Sequence, residues 1–252
     1  HTLQNKKGTY KLAGSRHFGD KGRAMGRLSV IIPTLNAGAG LRRSLPPLAA
    51  FDGLEILREL IFADGGSDDD TLAIADAAGA EIVTAAKGRG LQLATGAAAA
   101  RGDWLLFLHA DTVLDARWRN VIEAFIEQPS NRKRAGYFRF ALDDSTLAAR
   151  VLEKIVAARC WLLGLPYGDQ GLLIARDFYG ELGGFPAVPL MEDVALVRRI
   201  GRRRMAPLAA TATTSAARYR KDGYLLRPLR NLICLTLYFL GTPPRFLLKL
   251  YA

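Results

Sequence analysis

Trp104-Leu-Leu-Phe-Leu108 runs without a break into His109-Ala-Asp-Thr112. Five apolar residues with no polar alternation read as a strand buried on both faces, as in a parallel sheet covered by helices. Similar runs stand upstream. Leu28-Ser-Val-Ile-Ile-Pro33 is short, rich in β-branched residues and stopped by a proline. Leu57 to Ala63 ends at Asp64-Gly-Gly-Ser67, a turn signal, and Glu81-Ile-Val-Thr84 is a third short strand. Helical segments lie between. Asn36 is placed to cap a helix reaching about Ala50. Ser67 or Asp68 is placed to cap one whose first turn holds Asp68, Asp69 and Asp70 and which Gly79 ends. Lys87-Gly-Arg-Gly90 opens an Ala-rich helix to Arg101. Strand and helix in alternation imply right-handed crossovers and an α/β fold: a Rossmann-like, mainly parallel sheet with helices on both faces.

Downstream, a helix is expected at about Ala116–Glu127, a strand at Tyr137–Leu142, a long helix at Thr146–Leu163, a short strand at Gly171–Ala175 and a helix at Met191–Ile200. The chain has 252 residues, half of them hydrophobic, enough for one sizeable core. No Gly/Ser linker divides it. The expected organisation is an N-terminal extension or tag remnant over 1–24, one domain over 25–215 and a basic, amphipathic helical extension over 216–252. Cys160 and Cys234 are far apart and outside any metal-ligand spacing, so they are expected as reduced, buried thiols. The opening stretch lacks the apolar core of a secretory signal, and no apolar run reaches the ~20 residues that span a bilayer. A cytoplasmic setting is therefore expected. The net charge of +11 points to an anionic partner without naming it.

In open parallel sheets, ligands bind beyond the carboxyl ends of the strands. Three strands here end in polar punctuation: Pro33-Thr-Leu-Asn36, Asp64-Gly-Gly-Ser67 and His109-Ala-Asp-Thr112. Asp64 alone reads most simply as a turn-forming residue. Two strand-end acids with Gly and Thr beside them favour a ligand site, and a nucleotide diphosphate fits. One carboxylate can accept from a base or ribose, and another can hold Mg²⁺ or Mn²⁺ against the diphosphate. Lys87 and Arg89, beside a helix start, can contact phosphate. No G-x-G-x-x-G and no P-loop is present, which argues against a dehydrogenase or NTPase. Glu192 and Asp193 open a helix after Gly183-Gly-Phe185. By themselves they read as acids offsetting the helix dipole, and a general base for an acceptor hydroxyl is the alternative. Asp169 and Gln170, in Gly168-Asp-Gln-Gly171, are placed to line an acceptor side.

Together these motifs resemble the family 2 glycosyltransferases of GT-A fold. The resemblance rests on Ser29-Val-Ile-Ile-Pro-Thr-Leu-Asn36, Asp64-Gly-Gly-Ser-Asp-Asp-Asp-Thr71, Phe107-Leu-His-Ala-Asp-Thr112, Gly183-Gly-Phe185 and Glu192-Asp193, in family order over about 28–204. It implies a nucleotide-sugar donor, UDP-linked in most members. It implies a donor pocket with Pro33, Thr34, Asn36, Asp64, His109, Ala110 and Asp111, with Asp64 on the base. Asp111 is implied as the acid of D-x-D that binds a divalent cation, and Asp193 as the catalytic base, with Glu192 beside it. His109 replaces the first acid of D-x-D, which puts the metal dependence in question. The processive signature Q-x-x-R-W is absent, so one inverting transfer per encounter is expected. Phe-Leu-His-Ala-Asp-Thr, Gly-Asp-Gln-Gly, Leu190-Met-Glu-Asp193 and Thr214-Ser-Ala-Ala-Arg-Tyr219 also resemble a bacterial subgroup, the radical-SAM/selenodomain-associated transferase 2 proteins.

Leu225–Leu240 and Arg245–Tyr251 are apolar with basic anchors. They fit an interfacial helix pair at a membrane surface, where a lipid-linked acceptor would lie. They fit equally a helix packed on the core or on a second subunit. No aromatic-interleaved basic stripe supports nucleic acid. Two other readings remain: a nucleotidyltransferase, disfavoured by Pro-Thr-Leu-Asn after the first strand, and a non-catalytic, anion-binding protein on a degenerate transferase fold.

Overall fold

A computed structural model describes residues 27–49 and 56–251. The expectation of an extension over 1–24 lies outside the described residues. Eight strands form one sheet. The order is β3 (Glu81–Thr84), β2 (Leu57–Asp64), β1 (Leu28–Thr34), β4 (Trp104–Phe107), β7 (Leu172–Ala175), β6 (Ala135–Leu142), β8 (Met205–Thr214) and β5 (Val113–Leu114). β3, β2, β1 and β4 are parallel, as the apolar runs predict. Beyond β4 the sheet is mixed, with β7 antiparallel to both β4 and β6. The α/β expectation of a mainly parallel sheet holds, since β6 and β8 are parallel as well, and the antiparallel β7 and β5 are what the sequence did not predict. An uninterrupted apolar strand signals burial on both faces but not direction, and β7 (Leu-Leu-Ile-Ala) is fully buried in either sense.

The helices are α1 (Gly38–Ala49), α2 (Thr71–Ala77), α3 (Arg89–Ala99), α4 (Trp118–Glu127), α5 (Leu147–Leu163), α6 (Arg176–Glu181), α7 (Glu192–Ile200), α8 (Ala217–Asp222), α9 (Leu226–Phe239) and α10 (Pro244–Tyr251). Trp104, Phe62, Phe138 and Phe178 are among the largest fully buried side chains, and Trp104 meets Phe125 of α4 edge-on at 5.8 Å. Both cysteines are buried and free.

Two caps differ from expectation. Asn36 adopts φ 50° and turns its Oδ1 to the Asp68 N–H at 2.9 Å rather than to α1. The entrance to α1 is held instead by Thr71 Oγ1, which accepts from Ala37 N–H, and by Asp69, which accepts from Gly38 N–H. α2 begins only at Thr71, so Asp68, Asp69 and Asp70 precede it; the Asp69 carboxylate serves the neighbouring loop and Asp70 pairs with Arg42 of α1. β5 and β8 were not expected. β8 is built of Ala and Thr, whose small side chains give the alternation little hydrophobic contrast.

Candidate active site

Because β2, β1 and β4 are parallel neighbours, their carboxyl ends share one edge. Thr34 and Asp64 are register partners there. The Asp64 carboxylate accepts from Thr34 Oγ1 at 2.9 Å, from the N–H groups of Gly66 and Ser67 at 2.9 and 2.8 Å, and from Ser67 Oγ at 2.5 Å. Burial alone would raise its pKa. The hydrogen bonds, led by Ser67, outweigh that and hold the carboxyl below its ordinary value. Two oxygens offer about four lone-pair sites, so Thr34 and the 64–67 turn together take up the acceptor capacity of Asp64. Ser67 Oγ also accepts from Asn36 N–H at 2.9 Å, which stitches the loops after β1 and β2 together. Pro33 lies half-buried one residue before Thr34.

The loop after β4 is fixed from α1. Ala110 C=O accepts from Ser44 Oγ at 2.7 Å. A Cβ on Gly40 would stand 3.0 Å from that carbonyl and 3.2 Å from Asp111 Cβ, so glycine permits the approach. Asp111 makes no hydrogen bond or ion pair with the described residues.

A second cluster gathers around Arg89, at the start of α3. Its Nε pairs with Glu192, its Nη2 lies 3.9 Å from Asp193 Oδ2, and its Nη1 lies 3.4 Å from His109 Nε2. Arginine only donates, so the last contact is a bond when Nε2 is unprotonated. Burial, then the Arg89 charge, pushes His109 down to about 4, so the imidazole is neutral near pH 7. Burial pushes Glu192 up while Arg89 pulls it back. Asp193 Oδ2 accepts from Gly168 N–H and its Oδ1 from Val194 N–H, both at 2.8 Å. Met191, with φ 66°, makes the turn that aims Glu192 and Asp193. Arg89, His109, Glu192 and Asp193 line one cleft, with Tyr167 and Phe185 in its walls.

Lys87 is exposed and outside both clusters. Asp169 has one carboxylate oxygen, Oδ1, buried without a partner, and burial raises its pKa to about 6. Gln170 differs from expectation. It is 2% exposed, its Oε1 accepts from Arg159 at 3.1 Å and Tyr167 N–H at 3.3 Å, and its Nε2 donates to Phe138 C=O at 3.1 Å. It orders the 168–171 turn instead of facing an acceptor. Gln92 went unread in the sequence. Its Nε2 donates to Thr34 C=O at 2.6 Å and Ala63 C=O at 3.0 Å, tying α3 to the ends of β1 and β2. A lone amide between leucines in an Ala-rich helix was the available signal.

Residues 29–132 match the model of glycosyl transferase family 2. Over that stretch the chain is similar to the family 2 glycosyltransferases. The protein is thus an enzyme, a transferase of sugars. Solved structures agree on the GT-A fold. Staphylococcus aureus TarS (1–349) matches with TM-score 0.58 at 16% identity, over 90% of this chain and 69% of that one. Its complex with UDP-GlcNAc matches at 0.57. Glucosyl-3-phosphoglycerate synthase of Mycobacterium tuberculosis, with Mn²⁺, UDP-glucose and phosphoglyceric acid, matches at 0.53 and 21% identity, over 77% of this chain and 71% of that one. No curated protein sequence matches the glycosyltransferase.

The residues present fit a divalent cation of one kind. Among the described residues no group of three or more His, Cys, Asp or Glu could hold a metal. Asp111 offers an uncommitted carboxylate and His109 a neutral imidazole, which suits a hard cation held by one protein carboxylate and by substrate phosphates.

Proposed function

We propose that the protein moves one sugar per encounter from a UDP-linked donor to an acceptor hydroxyl, with inversion at the transferred carbon. The observation that carries this is the placement of Asp193 Oδ2. It is held by Gly168 N–H on the wall of a cleft it shares with Arg89 and His109. A fixed carboxylate at that position suits a general base that takes the acceptor proton as the hydroxyl attacks. The two structural relatives with bound UDP-sugars support the choice of donor.

Thr34, Asp64 and Asn36 take the nucleoside in this reading, with a base N–H replacing Ser67 Oγ on Asp64. Asp111 and His109 would hold Mg²⁺ or Mn²⁺, which when bound offsets the charge of the leaving diphosphate. Arg89 keeps Glu192 paired and Asp193 oriented. Asp169 lines the acceptor side. The proposed setting is the cytoplasmic face of a membrane, where a lipid-linked acceptor would meet the cleft.

Calorimetry with UDP-, GDP- and dTDP-sugars, with and without Mn²⁺, tests the donor site. UDP-sugar binding that weakens in Asp64→Ala and in Asp111→Ala is expected. Absence of binding by every nucleotide-sugar would overturn the reading.

A further inference from the structure

The apolar side chains left in solvent are concentrated in one region. Of twenty exposed large ones among the described residues, sixteen lie on α5, on α10, or on α9 and its flanks. α9 is inverted relative to a helix built for water. Leu226, Leu229, Leu232, Ile233 and Leu240 form its outer stripe and are 43–77% exposed. Its inner side holds Cys234, Leu235 and Arg227, whose guanidinium pairs with Asp222 at 2.6 Å. α5 repeats the pattern. Leu147, Val151, Ile155 and Leu162 point outward, Trp161 is 73% exposed, and Ala149, Leu152, Val156 and Cys160 face the core.

The two helices come near one another at both ends. Asp144, just before α5, accepts from Tyr224 Oη at 2.7 Å and pairs with Arg220 at 3.3 Å, residues that precede α9. At the far end Leu163, Arg198, Arg202 and Phe239 line one hollow. The two helices therefore run side by side, and the number of apolar side chains they leave in solvent is larger than solitary surface leucines explain. Around it stand exposed Lys154, Arg198, Arg202, Arg203, Lys221 and Arg245. The nearby acids are neutralised: Asp144 by Arg220, Glu153 by Arg150, and Asp222 by Arg227 and Arg230.

Charge decides what covers such a face. A second copy, paired about a two-fold axis, would set the basic rim against itself. The 1–26 segment carries Lys6, Lys7, Lys11, Arg16, Lys21 and Arg23 against Asp20 alone, and is repelled as well. An anionic lipid surface satisfies both parts, taking the leucines into its acyl boundary and the cations at its headgroups. Trp161 suits the same boundary. Among the described residues no helix is long and apolar enough to cross a membrane, so these helices would lie flat.

We propose that α5, α9 and α10 together seat the protein on an anionic membrane. Val197 borders both the candidate cleft and the hollow near the ends of α5 and α9, so the cleft lies next to that region. The use of the surface, delivery of a membrane-borne acceptor, rests on the transferase reading; the binding itself does not. The test is flotation of the full chain with phosphatidylcholine vesicles, with and without phosphatidylglycerol, at low and high salt. Light scattering reports the mass in parallel, and UDP-sugar calorimetry checks the cleft separately. Preference for the anionic vesicles by about tenfold, lost in high salt, is expected. Leu229→Gln/Leu232→Gln and Trp161→Gln/Leu162→Gln should each lower partition about tenfold while leaving donor binding intact. Equal partition to neutral vesicles, or none, overturns the proposal. So does a dimer that those same substitutions split, which would make the face a self-interface. Should a pair of substitutions unfold the chain, Arg198→Gln/Arg202→Gln asks the same question through charge alone, and unchanged anionic preference in that variant overturns it.

Discussion

At the scale of single residues, the acids divide by how their environment treats their charge. Asp64 is stabilised as a carboxylate. Its folded pKa lies below the unfolded value near 3.8, so its contribution is present above that pH and is lost as pH falls through the native value. Ser67→Ala removes the leading donor. It should cost about 1–2 kcal/mol near pH 7 and progressively less as pH falls through the native value of Asp64, read from denaturant unfolding at each pH. Asp169 behaves oppositely. Its pKa is raised from 3.8 to about 6, so the neutral acid is the favoured native form. Stability linked to it is complete below about pH 4 and falls as pH rises through 6. Asp169→Asn should therefore raise the melting temperature at pH 7.5, by up to roughly 3 kcal/mol of stability, and leave it unchanged at pH 4. Asp193, oriented by Gly168 N–H, is the acid whose loss should touch chemistry alone. Asp193→Asn is expected to keep UDP-sugar affinity and to lower transfer at least about 100-fold in a product assay. Loss of donor binding in that variant would take Asp193 out of the role of base.

At the scale of elements, the parallel half was legible because its strands are continuous apolar runs punctuated by Gly, Pro and Asp. The edge at which Thr34, Asp64 and the His109–Asp111 loop meet followed from that order. Strand direction beyond β4 was not legible, since burial says nothing of polarity. β8 escaped because Ala and Thr pattern weakly. The clustering of Arg89 with His109 and Glu192 was also beyond reach, because it joins positions 20 and 103 residues apart through packing alone. Gly164 was readable only as a glycine after a long helix. In place it adopts φ 63° and ends α5, and a Cβ there would sit 2.8 Å from Arg202 Cα. Gly164→Ala should thus destabilise by about 1–2 kcal/mol or more, measured by urea unfolding, since left-handed backbone and a backbone contact both oppose it.

At the scale of the whole molecule, order should be graded. β1, β2 and β4 are buried on both faces, whereas α10 packs on α9, and α9 turns its leucines outward. Native-state amide exchange should find the central strands opening only with global unfolding and α10 exchanging far sooner. Anionic vesicles should slow exchange in α9 and leave β4 untouched. One short span joins the halves of the site. Gln92 grips the ends of β1 and β2, and three residues earlier Arg89 grips Glu192 and reaches Asp193. A nucleotide that tightens the β1 and β2 ends is expected to shift Asp193 as well, and an acceptor pressing on Asp193 to change nucleotide affinity by the same factor, which calorimetry with each ligand present would read. The first turn of α3 is in that sense the beam of a balance, with donor and acceptor on its two pans and equal leverage in either direction.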